Sequence, residues 1–221
     1  MISFFPSRAV ALEVFGWSIH WYGLLYLAAF LLAWWLCPRL QKNRDLHLST
    51  DDWSSVLTGA ILGVILGGRL GYVLFYAPHY LTEEPLRIFA VWEGGMSSHG
   101  GFIGTALALW FVLRKRHIPI LAFFDVITVP VAIGLACGRV GNFINQELYG
   151  TVTALPWAIA IPGVEGLRHP TQIYAVMKDL TIAAVCFCHL RSVRMPPYGR
   201  TGALFLMLYG FLRFTVEHFR D

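Results

Sequence analysis

Six long apolar runs decide what this chain can fold into. They are Trp17–Cys37, Val56–Tyr76, Met96–Leu113, Leu121–Cys137, Ile173–Leu190 and Gly202–Phe219. Each comes close to the roughly 20 apolar residues that a bilayer crossing needs. Hydrocarbon offers no water to an open backbone, so each run is expected as a helix. Composition agrees: 57% of residues are hydrophobic and 14% charged, with a mean hydropathy of +0.59. Soluble domains carry about a quarter charged residues. The expected fold class is an all-α polytopic membrane protein, a single integral-membrane domain over residues 1–221. The first run is too long and too aromatic for a signal peptide and has no small-residue cleavage site, so it reads as a retained span.

The cations set the orientation. The net charge is +4, and 14 of the 17 cations are arginine. Arg39, Lys42 and Arg44 lie in one loop, Arg114, Lys115 and Arg116 in a second, and Arg191, Arg194 and Arg200 in a third. The loops between these hold few cations, so the positive-inside rule puts the cation-rich loops in the cytoplasm and the N-terminus outside. No basic groove motif with interleaved aromatics points to nucleic acid. The four cysteines, Cys37, Cys137, Cys186 and Cys188, lie in apolar segments at spacings that match no metal motif. They read as small buried hydrophobes, and neither a metal nor a cofactor is expected.

The second run carries Gly59, Gly63, Gly67 and Gly71, one every four residues, and Gly134 and Gly138 repeat the spacing in the fourth. Such stripes let helices approach closely in a membrane.

Chemistry is sought in the polar groups at membrane depth, where a charge costs ~2.5–3.5 kcal/mol on insertion scales and is a functional candidate by default. Arg69, in GGRLGY, shares a face with Tyr72 and Tyr76; it either snorkels to headgroups or binds one. His99, in GGMSSHGGFIG, stands between small residues that leave room for a substrate, and imidazole is suited to accepting a proton. In GRVGNFINQELYG, a helix continuing past Gly138 would line Arg139, Asn142 and Gln146 along one face, with Phe143 and Glu147 adjoining. Arginine with amides suits a phosphodiester and its glycerol hydroxyls. Arg213 and Glu217, four apart in YGFLRFTVEHFR, lie on one side of a helix, either as a self-neutralising pair or as a held second arginine. Tyr22, in HWYG, belongs by itself with the interfacial aromatics. In RHPTQIYA, Pro170 sets the turn into the fifth run.

Taken in order, HWYGLLYL, LGGRLGYVLFY, VWEGGMSSHGGFIG, GRVGNFINQELYG, RHPTQIY and YGFLRFTVEHFR resemble the bacterial prolipoprotein diacylglyceryl transferases over most of the chain. The resemblance implies a bundle of six to seven transmembrane helices with a small outer-face lobe, and a short outer loop region at 151–170. It implies an enzyme of the bacterial cytoplasmic (inner) membrane with its site toward the outer side. That enzyme moves the diacylglyceryl group of phosphatidylglycerol onto the lipobox cysteine of a prolipoprotein, just after its signal peptide. A thioether forms, glycerol phosphate leaves, and lipoprotein maturation has taken its first step. The family's functional positions fall on Tyr22, His99, Arg139, Asn142, Glu147, Gly150, Arg213 and Glu217. The expected catalytic set is His99, Arg139, Arg213, Glu217 and Tyr22. Phosphatidylglycerol is expected on Arg139, Asn142, Glu147, Gly150, Arg213 and Arg69.

There are departures from the family's pattern. Only Thr151 to Leu167 separate Gly150 from the RHP block, where the family often has a long insertion. Ser98 stands where a bulkier residue is common, and Ala175 where an acidic residue is frequent. Two other classes use less of the sequence. One is a phosphatidylglycerol-dependent transferase with another acceptor; the other is a transporter, which would need a polar line through to the cytoplasmic side.

Overall fold

The computed structural model describes residues 2–4, 7–193 and 197–220; Arg194, one of the cations assigned to the third cation-rich loop, lies outside them. The chain divides into two compact units, Met1–Leu46 with Leu121–Asp221, and His47–Ile120.

The first unit opens with a three-stranded antiparallel sheet, β1 (Ile2–Phe4), β2 (Val10–Val14) and β3 (Trp17–His20). Helices throughout were expected here, and the first span was expected from Trp17. Instead Val14 pairs with Trp17 across a two-residue loop, Phe15–Gly16, with φ of 50° and 87°. Positive φ at both loop residues is the tight hairpin geometry that matches strand twist. Gly16 suits it and Phe15 disguises it, because asparagine or aspartate is the usual signal there. Helix α1 therefore starts late, at Trp21–Leu40, and continues as a 3-10 turn to Arg44.

Helices α4 (Ile120–Asn145), α5 (Thr171–Ser192) and α6 (Arg200–Glu217) complete the unit, with α2 (Thr50–Phe75) and α3 (Ser98–Lys115) belonging to the other. Between α4 and α5, strands β4 (Ile159–Ala160) and β5 (Leu167–Arg168) form a second small sheet. One buried cluster ties the ends of these helices together. Arg44, 2% exposed, donates to Asp125 Oδ2 at 2.6 Å, to Thr201 Oγ1 at 2.7 Å and to the carbonyls of Asn43, Leu190 and Val193. Asp125 also accepts from the amides of Gly199 and Gly202. Arg44, read from sequence as a loop cation, is thus a buried one with its charge answered.

In the second unit, α2 begins at a capping box in which Ser49 and Asp52 satisfy each other's backbone amides. Its glycine stripe meets α3 at backbone distance. A Cβ on Gly67 would lie 2.4 Å from Gly100 O, and one on Gly63 would lie 2.7 Å from Gly104 O. The stripe therefore packs helix on helix, as its spacing implied. Gly100 and Gly104, on the C-terminal side of His99, are spent on this contact.

Among the described residues, four helices are long and apolar enough to cross a membrane: α1 with its extension to Arg44, α2, α4 and α5. The 18-residue α3 and α6 fall outside this set. α3 has polar ends at Ser98–His99 and Arg114–Lys115, and α6 carries Arg200, Arg213 and Glu217. The exposed surface is heavily apolar, with Leu66, Leu70 and Leu74 on α2 and Leu206, Phe211 and Phe214 on α6 outward. The chain is a polytopic membrane protein.

Candidate functional site

The motif after Gly138 is helical to Asn145, so Arg139 and Asn142 are one turn apart on α4. Arg139 Nη1 donates to Asn142 Oδ1 over a long 3.5 Å, and Asn142 Nδ2 donates to Glu147 Oε2 at 3.3 Å. The order is forced, since a guanidinium only donates and a carboxylate only accepts. Asn145 Nδ2 adds a second donor to Glu147 at 3.1 Å. Asn142 is buried, while Arg139 is half-buried and Glu147 is exposed.

Gln146 does not join this face. It leaves the helix at φ 60°, and Leu148 follows at φ 55°. Two left-handed non-glycine residues so close together are uncommon. The carbonyls of this turn are held from α5: Gln172 Nε2 donates to Glu147 O at 2.7 Å and Thr171 Oγ1 to Leu148 O at 2.8 Å. At the last turn of α4, Arg8 donates to Ile144 O at 2.7 Å and to Phe143 O at 3.3 Å. A cation at a helix C-terminus suits its partial negative charge. Arg8, Gln146, Gln172 and Phe143 line a cavity of about 320 Å³ beside this turn.

Tyr22, on the first turn of α1, packs against the motif. A Cβ on Gly141 would lie 2.5 Å from the Tyr22 ring, and Tyr22 meets the Tyr26 hydroxyl at 3.3 Å. Its phenol lies within electrostatic reach of both Glu147 and Arg139. Gly150, expected to touch lipid, is closed in by protein. A Cβ there would lie 2.2 Å from Phe219 O and 2.7 Å from His169 and Thr171. Its amide donates to His169 O, and it bridges to Arg220. It therefore fastens the end of the motif to the end of α6.

That end of α6 carries Arg213, whose Nη2 lies 2.7 Å from Glu217 Oε2; Arg220 reaches the other Glu217 oxygen at 3.6 Å. His169, Tyr174 and Phe219 pack edge-on or tilted against one another beside it, with Trp157 Nε1 donating to Tyr174 Oη at 2.7 Å. Pro170 is the N-cap of α5, which is the turn it was read to set.

The sequence reading passed over Lys178 and Asp179, two buried charges inside α5 that form an ion pair. Arg139 from α4 and Arg213 from α6 both lie within electrostatic reach of this pair, and Lys178 stands 4.1 Å over the Tyr209 ring, one turn before Arg213. The rule that singled out Arg69 applies equally to them, but the apolar residues around them outweigh two charged ones in a hydropathy average, which is 1.5 for this helix.

The two remaining candidates belong to the other unit. Arg69 is 4% exposed and neither snorkels nor offers a free fork. Its guanidinium donates to the carbonyls of Arg87, Ile88, Gly94 and Gly95, with Tyr72 and Tyr80 near its face. Four backbone carbonyls make it the organiser of its own loop. His99, the second residue of α3, is exposed and makes no side-chain hydrogen bond among the described residues.

Comparison with known proteins places these residues in a family. Residues 9–221 match the model of the family described as prolipoprotein diacylglyceryl transferase. A phosphatidylglycerol–prolipoprotein diacylglyceryl transferase of Geobacter sulfurreducens is 45% identical over 92% of this chain and 78% of its own length. Proteins of the same name from Polynucleobacter asymbioticus and Bordetella avium are 42% and 41% identical. They align over 96% and 100% of this chain and over 82% and 84% of their own lengths.

Proposed function

The chain belongs to the prolipoprotein diacylglyceryl transferase family, and from that premise we propose how its residues carry the reaction. It is a transferase that moves the diacylglyceryl group of phosphatidylglycerol to the cysteine thiol of a prolipoprotein, the first step of lipoprotein maturation. A free thiol has a pKa of about 8.5, so little of it is thiolate at neutral pH. His99 takes the thiol proton. The sulfur then attacks the glyceryl carbon that bears the phosphate ester. The carbon–oxygen bond breaks with its electron pair remaining on phosphate, giving a thioether and glycerol phosphate.

Negative charge grows on the departing oxygen. Arg139 and Arg213 stabilise it at a low-dielectric site, where fixed donors act most strongly. Asn142 and Glu147 orient Arg139 and meet the headgroup glycerol. Glu217 positions Arg213, and Tyr22 donates near the phosphate. Gly150 acts by close packing and Arg69 by holding its loop. The observation that supports this reading best is the line from Arg139 through Asn142 to Glu147, which aims one guanidinium, with a second, Arg213, held by Glu217.

The topology completes the proposal. All six helices cross the bacterial inner membrane, with Arg39, Lys42, Arg114, Lys115, Arg191 and Arg200 on the cytoplasmic side. The motif then lies toward the outer leaflet, and the small sheets form the outer-face lobe. The acceptor is the lipobox cysteine behind the signal peptide.

The test combines purified protein, phosphatidylglycerol and a lipobox peptide, with the peptide's mass followed over time. The expected product gains a diacylglyceryl group and no phosphorus; a phosphorus-bearing adduct means attack at phosphate and refutes the mechanism. Arg139→Ala and His99→Ala abolish transfer while the protein still inserts. Arg139→Lys fails too, because a point charge does not reproduce the planar fork. Normal turnover by any of the three overturns the corresponding role.

A further inference from the structure

Lys178 and Asp179 lie about two turns into α5, a helix otherwise apolar enough to cross a membrane. Their side chains are 4% and 1% exposed and joined directly. An ion pair placed only to neutralise itself gains little over apolar packing, and three details go beyond that. Asp179 Oδ2 is buried with no hydrogen-bond partner among the described residues. The Lys178 ammonium stands 4.1 Å over the Tyr209 ring of α6, and Tyr209 is one helical turn before Arg213. Both Arg139 and Arg213 lie within electrostatic reach of the pair, Arg213 one turn along α6 from the ring that Lys178 faces.

We propose that the Lys178–Asp179 pair sets how tightly the Arg139 and Arg213 site holds anions. Asp179 offsets part of the two guanidinium charges, and Lys178 keeps that carboxylate from cancelling them outright. The need follows from the reaction. A phosphodiester carries one negative charge, whereas the phosphate monoester that departs carries a second unless it takes up the thiol's proton. With only Glu217 and, through Asn142, Glu147 to oppose them, the two arginines would grip the product more tightly than the substrate and slow its release. Lys178 and Asp179 are positioning residues that act through the arginines, and the inference rests on the reading that those arginines hold the headgroup phosphate.

The test measures KM for phosphatidylglycerol in mixed micelles, kcat, inhibition by glycerol phosphate and thermal unfolding. In Asp179→Asn, KM and the inhibition constant fall at least threefold and kcat falls with them. In Lys178→Met, both constants rise at least threefold. The double variant returns to within twofold of the parent. A purely structural pair destabilises both single variants without moving the constants in opposite directions, and that result overturns the proposal. If the single variants do not fold, the exchanged pair Lys178→Asp with Asp179→Lys keeps the net charge and still alters glycerol phosphate inhibition; unchanged inhibition refutes the idea. Direct binding of glycerol phosphate to Arg139→Ala and Arg213→Ala is measured in parallel by calorimetry. Binding that survives in both means the arginines do not hold the phosphate, and the pair's role falls with it. Binding lost in both, with no opposed shifts in the pair variants, removes the tuning role alone.

Discussion

Asn142 links a donor that cannot accept to an acceptor that cannot donate. With Arg139 on one side and Glu147 on the other, its amide has a single useful orientation. Asn142→Ala removes both contacts and leaves the arginine without its guide. Hydrogen bonds to charged groups contribute about 1.5–3 kcal/mol, so transfer activity should drop roughly tenfold to a hundredfold, as a kcat/KM measurement would show. Gly141 is the complementary case, where the missing side chain matters. A Cβ 2.5 Å from the Tyr22 ring must displace it, and overpacking of this kind costs about 1–3 kcal/mol. Gly141→Ala should therefore lower both the unfolding temperature and the rate, and Tyr22→Ala in the same background should recover stability but not rate. Arg139 and Asn142 could be read from spacing alone because one helical turn separates them. Gly150 could not, because its role depends on Phe219 and His169, which reach it only in the folded chain.

At the scale of elements, the glycine stripe shows what periodicity conveys. Four glycines at i, i+4 intervals announce a close helix neighbour, and Gly67 meets Gly100 at backbone distance. Gly67→Ala pushes Cβ into a carbonyl that no rotamer change can move. The expected result is loss of about 1–3 kcal/mol of stability, read by chemical or thermal unfolding in detergent. The turn after α4 shows what periodicity misses. Gln146 belongs to the Arg139 face only if the helix continues, and the left-handed residues that end it have no glycine signal. The turn is maintained by Thr171 and Gln172, which are distant in sequence. Gln172→Ala should loosen Glu147 and reduce turnover while leaving the helical content seen by circular dichroism unchanged. The Phe15–Gly16 hairpin was hidden for the same reason, a phenylalanine in a position usually held by asparagine.

For the whole molecule, hydropathy located all six helices to within a few residues at most ends. The main exceptions are the late start of α1, the early start of α2 and the extension of α4 to Asn145. What hydropathy hid were the partners of single charges set among apolar residues. Asp125 sits in an apolar run with Arg44 across from it, and Lys178 sits beside Asp179. Breaking a buried pair from one side costs about 3–5 kcal/mol, whereas replacing both partners with packed apolar groups is often neutral. Arg44→Met should unfold the protein at markedly lower temperature, and Arg44→Met with Asp125→Leu should recover part of the loss.

The account turns on two arginines from different helices holding one phosphate. The most direct measurement is an experimental structure of the protein with phosphatidylglycerol bound. The expected result is a single phosphate with oxygens within about 3 Å of both the Arg139 and the Arg213 guanidinium. A headgroup that touches one arginine and leaves the other on its carboxylate partner, or that binds elsewhere, would contradict it.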